Sequence, residues 1–240
     1  MTQSDKIITT VRQYCLNLFQ SGLSTQQSIA NGLLNGVEYI VGKQFDNLND
    51  LKDELKQLAQ DNLKIKTSGY SKAGHLKQIE LERQKYVDFV DNLDIQNLNT
   101  IQALPYRRRL SEIEAKTVRQ NLELFWKFDG GYWEPLTVCS PKPFYFYNTD
   151  KLDKLDYENL IKIISKITND RIYEITEERL DYEIDISEFD KDNFETIYTD
   201  KKNQWIIYLS HEGTIAFGGQ QLMDEFDKLT TDKTELKNKW

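Results

Sequence analysis

The hydrophobic period of the chain changes part-way along, and this change constrains the fold more than any other feature. In the first part, apolar residues recur every three to four positions, the spacing of one face of an α-helix. After the Gly-Gly pair at 130–131 they tend to alternate, which is typical of strands with one buried face. The 240-residue chain therefore has room for a helical part and a second part that contains a β-sheet.

Four amphipathic helices are predicted in the first part of the chain. Their apolar residues lie within 7–19, 29–41, 51–59 and 76–90. Ser24 and Gln27 have the spacing of a capping box for the second helix, and Asn49 or Asp50 can cap the third. Four helices within about 95 residues predict a small bundle.

A domain boundary is predicted at residues 95–105, where apolar residues lie three apart among Asn and Gln and Pro105 cannot continue a helix. We therefore divide the chain into a helical domain at 1–105 and a second domain at 106–240. Ser111 and Glu114 have capping-box spacing at the start of a helix in the second domain.

Strands dominate the rest of the second domain. They are predicted at 132–138, 144–147, 171–175, 182–186, 194–199, 204–210 and 214–217, with further helices at 156–167 and around 222–229. Several of these strands follow one another as hairpins, which favours antiparallel pairing. The predicted fold class is α+β, with an N-terminal helical bundle followed by an antiparallel-sheet domain.

The net charge of −8 is concentrated in the second domain. Residues 1–105 hold 11 Lys+Arg and 12 Asp+Glu, which leaves 20 and 27 for residues 106–240. Proteins that hold nucleic acid by its phosphates show the opposite bias, because Lys and Arg make those contacts. The charge pattern therefore argues against nucleic-acid binding.

Targeting and metal-binding signals are absent from the sequence. No run approaches the roughly 18 apolar residues of a membrane helix, and the start of the chain has no signal-peptide pattern, so we expect a cytoplasmic protein. Cys15 and Cys139 are far apart and fit two buried thiols in a reducing compartment. His75 and His211 are the only histidines, without a CxxC or HExxH pattern, and we predict neither metal nor cofactor.

One candidate site is the segment Phe-Asp-Gly-Gly-Tyr-Trp-Glu-Pro at 128–135. Its glycines suit a tight corner between helix and strand, with Tyr132 and Trp133 packed on the two faces of the sheet. In the functional alternative, Asp129 or Glu134 is exposed beside an aromatic surface, formed by Tyr132 and Trp133, that a partner covers.

A second candidate site is the end of the strand at 204–210. His211 and Glu212 are an attractive acid–base pair, since histidine titrates near neutral pH. Adjacent residues of an extended chain point to opposite faces, however, so Ser210, His211 and Glu212 do not form a triad by being neighbours. The alternative is a hairpin turn at Glu212 and Gly213, with His211 bonded to a loop carbonyl.

The second domain contains one basic cluster and one acidic stretch, which lie far apart in the sequence. Three arginines stand at 107–109, and an acidic stretch covers residues 177–195. We expect the arginines to form ion pairs within the molecule, with the acidic half. The remaining acids, Glu183, Asp185 and Glu188 among them, would form an exposed acidic surface.

Residues 110–228 resemble the small acidic α+β proteins that bacteria use to neutralise toxins, the immunity proteins. The resemblance lies in the Asp-Gly-Gly-Tyr-Trp corner, the Trp-x-x-Tyr-x-Ser-His-Glu hairpin and the Phe-Gly-Gly before the last helix. It implies an intracellular, non-enzymatic protein that binds another protein. Such an inhibitor would place its acidic surface on the active site of a basic toxin.

Two further hypotheses remain open at this stage. One is an enzyme that uses His211 with Glu212 or Asp129. The other is an adaptor in which the helical bundle oligomerises and the second domain binds the cargo. The sequence leaves the oligomeric state and the identity of the partner undetermined.

Overall fold

The computed structural model describes residues 2–63, 73–94, 98, 101–129, 133, 143–168, 171–177 and 180–239. The chain divides into two compact units, Met1–Leu104 and Pro105–Trp240. The first is helical and the second is built on an antiparallel sheet, which confirms the predicted α+β class. No helix of the described residues is long and apolar enough to cross a membrane.

The helical unit contains four α-helices among its described residues. They are α1 (Gln3–Ser21), α2 (Ser24–Tyr39), α3 (Leu48–Asn62) and α4 (Ala73–Asp91). Helix α2 contacts α1, α3 and α4, and α3 also contacts α1 and α4. Their apolar stripes meet in one core, as the helical period predicts, and the core includes Ile7, Val11, Leu33, Ile40, Leu51, Leu55, Tyr86 and Val90.

Two of the predicted helix caps are wrong by a few residues. Helix α2 begins at Ser24, and the Gln26 side chain accepts the Leu23 backbone N–H at 3.2 Å, so Ser24 and Gln27 do not form the cap. Helix α3 is capped by Asn47, whose side chain accepts the N–H groups of Asn49 and Asp50. At both helix starts a neighbouring polar side chain accepts backbone N–H groups that have no partner within the helix.

Buried polar groups also lie in the helical unit. Arg12 on α1 and Glu38 on α2 form an ion pair at 3.3 Å with both side chains buried. Cys15 is a free, buried thiol, and burial raises its pKa. The predicted burial of Cys15 is therefore confirmed, whereas Cys139 lies outside the described residues.

The second unit contains three α-helices and seven strands among its described residues. The helices are α5 (Glu112–Trp126), α6 (Lys154–Ile167) and α7 (Gln220–Leu229). The strands are β1 (Arg107–Arg109), β2 (Phe144–Asn148), β3 (Arg171–Thr176), β4 (Tyr182–Asp185), β5 (Thr196–Thr199), β6 (Ile206–Ser210) and β7 (Thr214–Gly218). Ser111 and Glu114 form the capping box predicted for α5. The predicted strand at 132–138 falls largely outside the described residues.

The strands form one antiparallel sheet in the order β1-β4-β3-β5-β6-β7-β2. The predicted hairpins of β5 with β6 and of β6 with β7 are both present. Residues 186–195 connect β4 to β5 across the intervening strand β3, and we call them the crossover loop. Strands β1 and β2 are the two edges of the sheet.

Helices cover both faces of the sheet. Helix α5 packs on one face through Val118, Leu122 and Trp126, in a core that includes Phe146, Ile197, Ile206 and Ala216. Helices α6 and α7 pack on the other face in a larger core with Tyr147, Ile172, Tyr198, Ile207 and Phe217. Alternate residues of one strand enter opposite cores, which is the period-2 pattern that the sequence carries.

Strand β1 is the element that the sequence did not predict. Arg108 lies opposite Glu183 of β4, and Arg107 donates two hydrogen bonds to Glu174 of β3 at 2.6 and 3.1 Å. The predicted intramolecular pairing of the arginines with the acidic half is confirmed for Arg107 and Arg108. These arginines attach a short edge strand to the sheet.

Candidate functional site

Four strands end or begin side by side at one end of the sheet. Thr176 at the end of β3 lies opposite Thr196 of β5, which lies opposite Leu209 of β6. The turn at 211–213 then leads into β7. Three segments therefore lie side by side at this end of the sheet. They are the residues that follow β3, the residues that precede β5 and the turn that joins β6 to β7. Their polar side chains form what we call the hairpin-end cluster, which consists of Glu177, Glu195, Tyr208, His211 and Glu212.

Glu195 is the centre of the hairpin-end cluster. Its Oε1 accepts the backbone N–H of His211 at 2.8 Å and also contacts Nδ1 of the same histidine. Its Oε2 accepts the hydroxyl of Tyr208, and its backbone carbonyl accepts the N–H of Glu177 at 3.2 Å. The side chain is 17% exposed, so both of its oxygens are bonded near the surface.

The backbone of Glu195 is held in an uncommon conformation. Its φ is 53°, in the left-handed region that side-chain-bearing residues seldom adopt. This turn of the chain directs the carboxylate toward β6 and the turn that follows it. The contacts with His211 and Tyr208 compensate for the strain.

Proton affinities in the cluster follow from these contacts. Hydrogen bonding to Glu195, with the charges of Glu195, Glu212 and Glu177 added, raises the pKa of His211. Burial alone would raise the pKa of Glu195, but the donors from His211 and Tyr208 outweigh it and lower the pKa. Burial and the adjacent Glu195 carboxylate raise the pKa of Tyr208. Glu195 is therefore held by three contacts, with the hydroxyl of Tyr208 and with the backbone N–H and the ring of His211.

The hairpin-end cluster exposes charged side chains, and an exposed aromatic ring lies next to it. The side chain of His211 is 72% exposed, and Glu177 and Glu212 are also exposed. Phe194 stands next to Glu195 with 48% of its surface exposed. Among the described residues, no cation forms an ion pair with Glu177 or Glu212. Within the described residues, this end of the sheet therefore offers two exposed carboxylates without an ion-pair partner, next to an exposed apolar side chain.

The end of β4 and the crossover loop carry further acids. Asp185 accepts the N–H and hydroxyl of Ser187 at 3.1 and 3.0 Å, which caps a short 3-10 turn that contains Glu188. Phe189 packs on the ring of Tyr198 with ring centroids 4.6 Å apart, and the Tyr198 hydroxyl donates to the carbonyl of Asp190 at 3.2 Å. Asp185 and Glu188 are half-buried, so they contribute only partly to an acidic surface.

Glu183 does not belong to an exposed acidic surface, contrary to the expectation from sequence. It is 4% exposed and accepts hydrogen bonds from Tyr106 and Arg108 at 3.1 and 3.2 Å, and it pairs with Lys201. Asp181 is also buried, where Arg119 donates to its two oxygens at 2.7 Å each. The acids of this stretch therefore divide into buried structural ones and exposed ones. Spacing in the sequence did not separate the two groups.

The Asp-Gly-Gly-Tyr-Trp corner is described only in part. Trp133 is buried, and its indole N–H donates to the carbonyl of Trp126 at 2.8 Å, while the two rings meet edge to face. Asp129 is exposed. Tyr132 and Glu134 lie outside the described residues. Trp133 is part of the core on the α5 face, as expected for a packed corner.

The contacts of His211 differ from both hypotheses made from sequence. The turn after β6 is present, with Gly213 at a φ of 75°, but His211 contacts the carboxylate of Glu195 rather than a loop carbonyl. The carboxylate at its Nδ1 is also not that of Glu212 or Asp129. Glu195 is 16 residues away in the sequence, and only the register of β5 with β6 brings the two together. The alternation of residues along the predicted hairpin could have placed Tyr208 near this end of the strand. The positive φ of Glu195, however, has no signal in the sequence.

A groove of about 500 Å³ lies in the helical unit between α1, Phe89 of α4 and residues 101–104. Part of its polar lining is already hydrogen-bonded, because Thr10 donates to the carbonyl of Lys6 at 2.7 Å and Gln13 to Asn17 at 2.9 Å. In the part of the chain that the structure describes, no three His, Cys, Asp or Glu residues are placed to hold a metal ion.

Comparison with known proteins adds no assignment. No protein-family model matches the chain, and neither does any curated protein or solved structure.

Proposed function

We propose that this protein binds a basic partner protein through the hairpin-end cluster, as a non-enzymatic inhibitor of the immunity-protein type. The observation that carries the proposal is the set of three carboxylates, Glu177, Glu195 and Glu212, around one exposed histidine. Opposite potentials on the two proteins would speed their encounter and orient the complex.

Shape and order support a binding role for this surface. Phe194 supplies an exposed ring next to the carboxylates, and aromatic side chains are common anchors of protein interfaces. The chain leading to it is held by the contact of Phe189 with Tyr198 and by the Tyr198 hydroxyl. An ordered surface loses little conformational entropy when a partner binds.

The acidic surface also suits inhibition of a protein that acts on an anionic substrate. Such a protein needs a basic active site, and carboxylates bound there would exclude the substrate by charge and by volume. The proposal therefore names the chemistry of the partner, a basic protein surface, and leaves its identity to experiment.

The test is capture of the partner from the native host with the intact protein, at moderate salt, followed by mass spectrometry. The test variant is Glu177→Lys/Glu212→Lys, which reverses two exposed charges of the cluster. The control is Glu123→Lys, which reverses a single charge at an exposed position of α5. We expect wild type and control to retain one stoichiometric basic partner, and the double variant to bind it about tenfold more weakly or worse. Equal retention by all three proteins would contradict the proposal.

A second candidate function is favoured by the contact between His211 and Glu195. A carboxylate at Nδ1 orients an imidazole and raises its basicity, the arrangement found in general-base catalysis. The enzyme hypothesis therefore acquires Glu195 in place of Glu212 or Asp129. Loss of a measured activity in His211→Ala, with partner binding unaffected, would favour this candidate over the inhibitor.

A further inference from the structure

The carboxylate of Glu195 is already occupied by groups of the protein itself. Its Oε1 is held by the ring and the backbone N–H of His211, and its Oε2 by the hydroxyl of Tyr208. A basic side chain of a partner that approaches Glu195 must therefore compete with the imidazole of His211.

We infer that His211 is an internal cation that competes with the partner for Glu195, so that binding at the hairpin-end cluster is controlled by pH. This inference rests on the proposed function. The competing group is a partner's arginine, because a guanidinium matches a carboxylate with two parallel hydrogen bonds.

The three donors to Glu195 differ in how easily they move. Tyr208 is 7% exposed and lies in the core on the α5 face, so its hydroxyl stays in place. The backbone N–H of His211 is fixed by the turn. The imidazole itself is 72% exposed and needs only a side-chain rotation to leave. A partner can therefore displace the ring without disturbing the sheet.

The surroundings of His211 are acidic on the strands that flank it. Glu195 precedes β5, Glu177 follows β3, and Glu212 is the next residue of the turn, and all three carboxylates act on the imidazole. The turn also contacts residues 149–151, where the N–H of Thr149 donates to the carbonyl of Gly213 at 2.8 Å. The charges there, Asp150 and Lys151, pair with each other at 3.0 Å.

The sign of the pH dependence follows from these charges. Contact with Glu195 raises the pKa of His211, so the imidazolium is retained to higher pH than in an unperturbed histidine. Its pairing contributes to stability below the unfolded-state pKa and is lost as pH rises through the folded-state pKa. When a partner displaces the ring, the imidazole loses the contact that raises its pKa and releases part of its proton to solvent. Affinity therefore increases with pH through the range in which His211 titrates, by at most about tenfold per pH unit.

The experiment uses the intact protein and a fluorescein-labelled hexa-arginine peptide, followed by fluorescence anisotropy from about pH 5.5 to 8.5 at constant ionic strength. We expect wild-type affinity to rise by about tenfold or more across this range. His211→Ala removes the competing ring from an exposed position, so it should bind at low pH as tightly as at high pH. His75→Ala is the control, since His75 is the only other histidine, and it should retain the wild-type profile.

The outcomes separate this inference from the proposed function. Peptide binding that is lost in Glu177→Lys/Glu212→Lys but shows no pH dependence in wild type overturns the inference and leaves the binding surface intact. Absence of peptide binding at every pH overturns both. The NMR titration of His211 gives a check without any ligand, because its pKa should fall in Glu195→Gln. An unchanged pKa of His211 in this variant would show that the imidazole does not interact with Glu195, and this result would overturn the inference.

Discussion

At the scale of single residues, Gly218 shows how closely the second unit is packed. In the register of the sheet it lies beside Ile206 of β6, on the face covered by α5. A Cβ atom at this position would lie 2.5 Å from Cζ3 of Trp126 and 2.8 Å from Cγ2 of Ile206. Trp126 is fully buried, and a ring in a close-packed core cannot shift without displacing its neighbours. The absent side chain of Gly218 therefore accommodates the indole ring.

We expect Gly218→Ala to lower the free energy of unfolding of the second unit by about 1–3 kcal/mol, because the added methyl group overpacks the core. All four tryptophans lie beyond residue 125, so tryptophan fluorescence during urea unfolding reports this unit. Gly74→Ala is the control, since a Cβ there meets no atom within 4 Å and alanine favours the helix. Urea unfolding of Gly74→Ala, followed by far-UV circular dichroism, should show a stability equal to or greater than that of wild type. A wild-type urea midpoint for Gly218→Ala would contradict this description of the core.

Residue-scale contacts also explain what the sequence did and did not predict at the candidate site. His211, Glu212 and the turn at Gly213 could be identified, because turn residues after a strand are a local signal. Glu195 and Glu177 could not be assigned to the same cluster, since strand register and a backbone with positive φ bring them there. Glu183 and Trp133 were placed at the surface in the functional hypothesis, because spacing along the chain does not report which acids and rings are buried.

At the scale of elements, β1 was missed because three consecutive arginines have none of the apolar alternation of a strand. The strand is stabilised by ion pairs instead. Arg108 donates to Glu114 of α5 at 2.9 and 3.0 Å and to Glu183 of β4 at 3.2 Å. The main amphipathic helices and the two hairpins were predicted correctly, because their hydrophobic periods are local. An edge strand that is held by ion pairs can be predicted only when the positions of acids distant in the sequence are known.

These ion pairs predict how the second unit responds to acid. Hydrogen bonds from Arg108, opposed by partial burial and assisted by Ser111, lower the pKa of Glu114 to about 2. A lowered folded-state pKa stabilises the protein above the unfolded-state pKa, and this contribution is lost as pH falls through the folded-state value. The unfolding free energy from Glu114 should therefore decrease between about pH 5 and 2.

Glu114→Gln tests this response, since glutamine keeps the capping geometry of α5 and removes the charge. Urea midpoints followed by tryptophan fluorescence should differ most between variant and wild type near neutral pH. The difference should shrink as the pH approaches 2. Glu123→Gln, an exposed change on the same helix, serves as the control. A difference that stays constant over the whole range would show that the charge of Glu114 does not contribute.

At the scale of the whole molecule, the uneven charge of the chain has two separate roles. Some acidic residues of the segment 106–240 form ion pairs inside the second unit, where Glu174, Asp181 and Glu183 pair with arginines. Others lie at one end of the sheet, in the hairpin-end cluster. The helical unit is nearly neutral by sequence, with 11 basic and 12 acidic residues up to position 105. The proposed binding function therefore belongs to the second unit.

The most direct test of this account is site-specific photo-cross-linking in extracts of the native host. A benzophenone amino acid replaces Phe194 beside the hairpin-end cluster or, as a control, Leu124, which is 65% exposed on α5. The account predicts one discrete cross-linked product from position 194, absent from position 124, and lost when Glu177→Lys/Glu212→Lys is added. Equal products from both positions, or a product from 194 that survives the charge reversal, would contradict it.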